Sequence, residues 1–448
     1  MLAFAAPCLG STLLIAPVFS FLPSYYALHT AATLAQIGAV FLFARILDAI
    51  VDPIVGILSD RTRTRFGARI PWMAAGVALS IPAAYFLFSP PAHATAIYFL
   101  FASTAVMLGW SMMTIPHDAW AVELTSDYNT RSKLFGIKNA LGALGGMGFY
   151  LLPAVMAPFT GTTEINAKTM FGLFALVAVI APLALLTAAL FSPRPPEPIA
   201  GGRGLATFLK EAIQALLGNR PLQHFVLITF VAGTASGMSS ALFFLYVQDY
   251  MQLGASFYIL ALIPGIVGII SVPAWLWLAQ RFDKQRAWGV SILLGALTGL
   301  GMAVLQPGPA SLTPLLLIMV AVGVLSGVSV ALPASVLADV ADYEYLKSRA
   351  QSAGKYFALL SLMSKVNAAI GTALAFWIAS LLGYTPGAAG GGQQALLVPF
   401  ALLPSLLAFI AGALILAFPI TRARQRIISR RLEQLRDRAA RAAAAAGQ

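Results

Sequence analysis

The feature that most constrains this chain is a series of long apolar stretches, which begins at the first residues and recurs almost to the end. About 20 apolar residues are enough to cross a bilayer as a helix. Twelve such stretches can be read between short polar connections, at 3–28, 33–58, 70–89, 95–122, 133–156, 169–191, 222–249, 255–280, 286–306, 312–338, 354–383 and 395–420. They are too continuously apolar for the alternating strands of a membrane barrel. The sequence therefore predicts an all-α integral membrane protein.

The composition excludes a soluble domain with a single anchor. Hydrophobic residues make up 59% of the chain and charged residues 10%, whereas soluble domains carry about 25% charged residues. The first stretch lacks the basic start of a secretory signal, because no Lys or Arg precedes Arg45. We therefore interpret it as an uncleaved first span.

The net charge of +12 would favour nucleic-acid binding in a soluble protein. Here, however, most of the 28 basic residues fall in alternate connections and in the tail after Thr421, and the intervening connections carry only Lys168. Under the positive-inside rule this places both termini in the cytoplasm and predicts no nucleic-acid partner. The tail, 421–448, is expected to be a basic cytoplasmic helix that either touches anionic lipid or is simply solvated.

The longest connection separates six spans from six. It begins with the helix-hostile run Ser-Pro-Arg-Pro-Pro-Glu-Pro. We therefore expect a first six-helix half at 1–191, a cytoplasmic loop at 192–221, a second half at 222–420 and the tail at 421–448. Connections 2–3 and 8–9 both pair an aspartate with clustered basic residues, which indicates an internal repeat.

The charged residues that remain within or close to spans, once the connections are set aside, are Arg45, Asp48, Asp52, Lys138 and Lys365. Burying one at the bilayer centre costs roughly 2.5–3.5 kcal/mol, so each is a candidate functional residue. Arg45, Asp48 and Asp52 follow i, i+3, i+7 spacing, which puts them on one helix face directed into the bundle. Paired carboxylates suit Na⁺ and can equally hold a proton. The alternative is a structural Arg45–Asp48 pair with Asp52 near a helix end.

No enzymatic signature accompanies these charges. The four histidines lack metal-ligand spacing, and we find no nucleophile motif or phosphate-binding loop. We expect neither an enzyme nor a cofactor, apart from a coupling ion, Na⁺ or H⁺. Charges that flank the spans form either gate salt bridges or solvated loop surfaces, namely Asp60 with Arg61 and Arg65, and Asp339 with Asp342.

Three collinear motifs carry a family resemblance. They are Arg45-Ile-Leu-Asp-Ala-Ile-Val-Asp-Pro-Ile-Val-Gly with the Asp60 loop, Glu123-Leu-Thr-Ser-Asp-Tyr-Asn-Thr-Arg, and Leu337-Ala-Asp-Val-Ala-Asp-Tyr-Glu-Tyr. Together they resemble glycoside-pentoside-hexuronide:cation symporters over essentially the whole chain. The resemblance implies the major facilitator fold, with two six-helix halves around a central cavity and alternating access.

The resemblance also implies roles for individual residues. Asp48 and Asp52 match the family's cation carboxylates, and Lys365 matches a helix 11 lysine near cation and substrate. Lys138 lies near the helix 5 basic position. We count Lys365, Lys138 and Arg45 among the substrate and coupling residues. The resemblance places Asp60, Arg61 and Arg65 at a cytoplasmic gate, to which we also assign Asp339 and Asp342. Lys365 is expected to pair with the helix 2 aspartates and to be displaced when the cation binds.

Two acidic positions of sugar-binding relatives are altered here. Thr12 stands at the helix 1 position and Thr114 at the helix 4 position, with Asp118 one turn later. Thr114 can offer a hydroxyl oxygen to Na⁺, and Asp118 can replace the lost charge. We therefore count Thr114 among the cation residues, and Asp118 and Thr12 among the substrate residues.

The resulting hypothesis is a secondary active transporter that couples Na⁺ or H⁺ to a small solute, glycoside-like by family default. One alternative is a lysolipid or other amphipathic substrate, and a more distant one is a non-transporting receptor. The expected partners are the small-molecule substrate and membrane lipid. We expect a monomer in the bacterial inner membrane.

Overall fold

The computed structural model describes residues 1–124, 127–193, 214, 216–348, 353–388 and 392–446. Most of the connection predicted at 192–221 therefore lies outside the described residues. Within them, twelve helices are long and apolar enough to cross a membrane, as the sequence predicts. We label the main α-helical segment of each span α1 to α12: Leu2–Ser20, Leu34–Arg61, Ile70–Phe88, Ala96–Glu123, Tyr128–Thr160, Ala167–Phe191, Arg220–Leu245, Phe257–Arg281, Lys284–Ala303, Leu312–Ser348, Ala353–Leu381 and Leu403–Leu416. The twelfth span as a whole is Gln393–Leu416.

Several helices depart from the predicted bounds for local reasons. The first predicted span is broken at Phe21, and a short helix, Leu22–His29, continues it. α10 runs ten residues past its predicted end, because its polar end remains helical beyond the apolar stretch. α7 ends in a π-helical turn, Tyr246–Tyr250, and a similar turn, Val398–Leu402, leads into α12.

Helix packing repeats between the two halves. In the first half α1 packs on α5 and α6, α4 on α2 and α3, and α3 on α6. In the second half α7 packs on α11 and α12, α10 on α8 and α9, and α9 on α12, so each pair recurs six helices later. Glycines allow the closest approaches, since a Cβ added at Gly76 would lie 2.7 Å from the Gly109 carbonyl oxygen. The chain folds as two six-helix halves related by a pseudo-two-fold axis.

The halves meet through α2 with α11 and through α5 with α8, which that axis also exchanges. Among the described residues, three hydrogen bonds between the halves cluster at the ends predicted to be external. Trp377 donates to the Ala35 carbonyl (3.1 Å), Ser24 to Ala241 (2.5 Å) and Thr163 to Ala255 (2.6 Å). Between pairs of described residues, no hydrogen bond or ion pair joins the halves at the opposite ends. The structure is therefore closed on the predicted external side.

A thirteenth helix, α13, spans Arg422–Ala446 and is the predicted tail helix. It docks on the second half, because Ile428 and Leu432 are buried in one apolar cluster with Val336 and Val340 of α10. The Gln425 amide also donates to Asp342 (3.1 Å). The start of the tail is thus a packed part of the fold.

Candidate cation and substrate site

The polar face of α2 points into the bundle. Arg45 and Asp48 are buried, and the Asp48 side chain is only 1% exposed. The opposite face carries exposed apolar side chains at helical spacing, Phe43, Ile46, Ile50, Ile54 and Leu58. Because lipid covers that apolar face, α2 must direct its charges between the halves.

Ser111 of α4 joins the two carboxylates. Its hydroxyl oxygen lies 3.1 Å from Asp48 Oδ1 and 2.7 Å from Asp52 Oδ1. A hydroxyl has a single proton to donate, so Ser111 can hold both carboxylates close without fully satisfying either. Sequence reasoning missed Ser111, although it lies one turn before Thr114 on the same helix face.

Two cations complete the cluster. Lys365 Nζ lies 3.3 Å from Asp48 Oδ2 and also contacts Asp52 Oδ2. Arg45 Nη1 lies 3.4 Å from Asp48 Oδ2, and its guanidinium stacks 3.8 Å from the centre of the Phe19 ring. The sequence analysis expects Lys365 to pair with these aspartates, and this contact gives the two acids a second base beside Arg45. The four side chains are therefore balanced in formal charge.

The cluster opens on one side. The side chains of Asp52 and Lys365 are 23% and 24% exposed, whereas Asp48 is enclosed. Trp110 lies beside this opening, with its ring centre 5.8 Å from Lys365 Nζ. An ion or solute that enters between the halves therefore meets Asp52, Lys365 and Trp110 first.

The remaining predicted binding residues form no hydrogen bond or ion pair with Asp48 or Asp52 in the described part of the chain. The Thr114 hydroxyl donates to the Trp110 carbonyl of its own helix (2.9 Å). Asp118 pairs with Lys138 of α5, whose ammonium is buried while the Asp118 side chain is 64% exposed. Thr12 packs against α5, where a Cβ added at Gly142 would lie 3.2 Å from its hydroxyl oxygen. The functional roles of all four remain predictions.

A second charge cluster, centred on Arg69, joins the ends of α2, α3 and α4. Buried Arg69 lies 2.6 Å from Asp60, contacts both carboxylate oxygens of Glu123 and donates to Ser59 (2.9 Å). Burial alone disfavours its charge, but the hydrogen bonds to Glu123 and Asp60 raise the pKa of Arg69 above its ordinary value. Arg69 is therefore a permanent cation between two acids.

Of the three gate residues predicted in this half, one belongs to the Arg69 cluster and two do not. Asp60 belongs to it, whereas Arg61 and Arg65 are exposed. The Arg65 guanidinium lies 4.7 Å from the Phe66 ring centre. The sequence analysis did not single out Arg69. Its position directly before α3 is the signal that could have singled it out.

The second half has a matching ion pair. Lys284, the first residue of α9, lies 3.0 Å from Asp339 of α10. Arg69 and Glu123 occupy the equivalent places at the start of α3 and the end of α4. Asp342, also predicted at the gate, accepts from Gln425 of α13 instead. Each half therefore ties its third helix to its fourth on the predicted cytoplasmic side.

Known proteins share this sequence pattern and fold. The sequence profile of a family described as MFS/sugar transport protein matches residues 3–422. The isoprimeverose transporter of Lactiplantibacillus pentosus is 26% identical over 84% of this chain and 78% of that protein. The putative glycoside/cation symporter YagG of Escherichia coli is 26% identical over 88% of this chain and 86% of that protein.

Solved structures support the fold independently. The nucleoside transporter NupG has a TM-score of 0.64 at 16% identity, covering 92% of this chain and 97% of that one. A bacterial homolog of the human lysosomal transporter Spinster, in an inward-facing and unoccupied conformation, has a TM-score of 0.63 at 15% identity, covering 93% and 96%. At these identities the likeness shows the fold alone.

Proposed function

This chain belongs to the MFS/sugar transport protein family, and from that membership we propose that it couples uptake of a glycoside-like solute to a monovalent cation. It is a multi-pass membrane protein that performs secondary active transport of a small solute, and it is not an enzyme. The symporter names of its relatives imply a coupling ion. The identity of the ion, the substrate class and the cytoplasmic placement of both termini are parts of the proposal.

The observation that carries the proposal is the contact of Lys365 in the second half with Asp48 and Asp52 in the first. With Arg45 these groups are balanced in charge. A further cation would leave uncompensated charge in the membrane, which is costly. A coupling cation therefore binds the carboxylates by displacing the Lys365 ammonium.

Displacement links the ion to the solute. A freed ammonium in the bundle needs a new partner, because an unpaired charge there is unfavourable. The solute supplies that partner through a hydroxyl or anionic oxygen. In the empty and the doubly loaded transporter each charged group then has an opposite charge or a hydrogen-bonding oxygen beside it, whereas in the transporter with cation alone the Lys365 ammonium has neither. Only the paired states change conformation readily, which suppresses ion leak.

The surroundings suit a hydroxyl-rich solute. Trp110 offers an aromatic surface beside Lys365. Asp118 lies seven residues beyond Ser111 on α4, about 10.5 Å away at 1.5 Å per residue, and its exposed carboxylate is paired with Lys138. Hydroxyl groups both donate and accept hydrogen bonds, so a sugar can bridge charged groups of either sign. The separation is comparable with one or two sugar rings.

The coupling ion is Na⁺ or H⁺. Carboxylate oxygens of Asp48 and Asp52 and the Ser111 hydroxyl supply the hard ligands that Na⁺ requires. A proton on Asp52 would release Lys365 equally well. The two possibilities can be distinguished by testing whether a sodium gradient or a pH gradient drives uptake.

The test is uptake of glycosides, uronides and lysolipids into proteoliposomes that contain the full-length protein. One charge moving down 100 mV supplies about 2.3 kcal/mol, so coupled uptake reaches roughly 50-fold accumulation. Asp52→Asn should abolish accumulation and spare solute exchange. Glu164→Gln removes an exposed acid in the α5–α6 connection and is the matched control.

Three results would contradict parts of this proposal. Accumulation by Asp52→Asn at the level of the control would show that the Asp52 carboxylate is not needed for coupling. Uptake that follows neither ion gradient would exclude symport. Transport of lysolipids in preference to glycosides would replace the substrate class and leave the coupling mechanism in place.

A further inference from the structure

A cavity of about 460 Å³ lies where α9 begins, α12 ends and α13 starts. Its lining includes Asp283, Gln285, Arg286, Leu416, Arg422 and Arg426. This volume is within the roughly 300–1,000 Å³ of small-molecule sites. The cavity is in the second half, on the predicted cytoplasmic side, and shares no residue with the cluster around Asp48.

The cavity has an excess of positive charge. Three arginines and one aspartate line it, so its formal charge is +2. Arg286 and Arg426 form no ion pair with any described residue, and the Arg422 guanidinium donates to the Arg281 carbonyl (3.1 Å). Unpaired guanidinium groups around one space are suited to a phosphate group.

Two buried acceptors in the same lining also lack a partner. Asp283 Oδ1 and Gln285 Oε1 are buried and accept no hydrogen bond from the described residues. Gln285 is only 6% exposed, and its amide nitrogen donates to the Ile420 carbonyl. Unsatisfied buried oxygens are unfavourable and favour a ligand that brings donors. The ligand that fits carries both a phosphate and hydroxyl groups.

The cavity is at the level of the membrane surface. α9 begins at Lys284 and α12 ends at Leu416, so both helices leave the bilayer there. Apolar side chains on both helices are exposed along the membrane, Val290 and Leu294 on α9 and Leu406, Ile410 and Leu416 on α12. Acyl chains can lie on these surfaces while a headgroup enters the cavity.

We propose that this cavity binds an anionic phospholipid with a hydroxylated headgroup, of which phosphatidylglycerol is the test case. Arg286, Arg422 and Arg426 hold its phosphate. Its two glycerol hydroxyls donate to Asp283 Oδ1 and Gln285 Oε1. Because Arg422 and Arg426 belong to α13, the bound lipid also holds the tail helix against α9 and α12.

The experiment measures lipid binding and thermal stability of the delipidated full-length protein in detergent. We expect phosphatidylglycerol to bind and to raise Tm, phosphatidic acid to bind more weakly for lack of hydroxyls, and phosphatidylcholine to have no effect. Each basic residue near a membrane surface contributes about 1 kcal/mol. Arg286→Gln with Arg426→Gln should therefore weaken phosphatidylglycerol binding roughly 30-fold.

The matched control removes the same charge from α13 outside the cavity, in Arg430→Gln with Arg431→Gln. Equal weakening of phosphatidylglycerol binding in both double variants would show that only net charge matters and would contradict the proposed site. Equal binding of phosphatidic acid would overturn the role of Asp283 and Gln285. If glycerol phosphate, which has no acyl chains, raised Tm equally at the same concentration, the ligand would be a soluble phosphate and not a lipid.

Discussion

Lys365 on α11 and Asp48 on α2 are 317 positions apart in the chain, yet Lys365 Nζ lies 3.3 Å from Asp48 Oδ2. The contact joins the two halves of the transporter through their charges, near the middle of the membrane. In the proposed mechanism, binding of a cation at the carboxylates and release of the Lys365 ammonium are one event. The mechanism proposed above rests on this relationship.

Lys365→Ala should abolish accumulation while leaving cation binding intact or tighter. The alanine removes the ammonium that competes for the carboxylates, and it also removes the group that would then meet the solute. Lys365→Arg should restore uptake only in part, because a planar guanidinium does not replace a compact ammonium. Proteoliposome uptake and cation titration of the purified variants give the two readouts. Full accumulation by Lys365→Ala would contradict the mechanism.

Ser111→Ala should raise the cation concentration for half-maximal uptake by about tenfold or more, since hydrogen bonds to charged groups contribute roughly 1.5–3 kcal/mol. Thr114→Val is the matched comparison, because the Thr114 hydroxyl already bonds to its own helix. We expect less than about a threefold effect there. A larger effect at Thr114 than at Ser111 would assign the cation ligand to Thr114, as the sequence predicted.

Arg69→Gln should lower Tm and slow turnover without removing solute binding. The buried Arg69 guanidinium holds Asp60, Glu123 and Ser59, and removing one partner of a buried ion pair costs roughly 3–5 kcal/mol. The loss should be smaller here because Asp60 is partly exposed. Arg65→Gln is the control, because its exposed guanidinium lies over the Phe66 ring and forms no ion pair with any described residue. Equal effects of the two variants would show that loop charge alone matters.

Gly38→Val should shift the population away from the state closed on the predicted external side. A Cβ at Gly38 would lie 3.1 Å from Phe376 Cβ, where α2 and α11 meet. Gly295→Val is the control, because its Cβ would have open space. The readout is thiol modification of Ser24→Cys, a buried position, after replacing the single native cysteine, Cys8. Modification that is no faster than in the control would contradict this assignment of the closed side.

The helices and their number could be predicted from sequence because apolar length is a one-dimensional property. The break at Phe21 could not be predicted. Pro17 and Pro23 lie on either side of it, but prolines also lie within continuous helices, such as Pro53 in α2. The sequence also predicted contact of Lys365 with the aspartates, because a lysine that deep in the membrane requires acidic partners.

The polar residues around the site were harder to predict. Ser111 is one of many serines in spans, and no charge marks it. Arg69 lies in a loop with three other arginines, and in the sequence only its position directly before α3 sets the buried one apart. The cavity at the start of α13 depends on the docking of a tail that buries Ile428 and Leu432 and is otherwise rich in charges. Each of these features depends on how close two separate segments of the chain lie in space, which cannot be read from the sequence.

The central claim is that the coupling cation and the Lys365 ammonium share the site between Asp48 and Asp52. It is tested most directly with a cysteine at position 365, in a chain that lacks Cys8, by its reaction rate with a cationic and an anionic thiol reagent of similar size. We predict faster reaction with the cationic reagent, selective slowing of that reaction by the coupling cation, and loss of both effects in Asp52→Asn. Equal rates for the two reagents, unchanged by Na⁺ or pH, would contradict the claim.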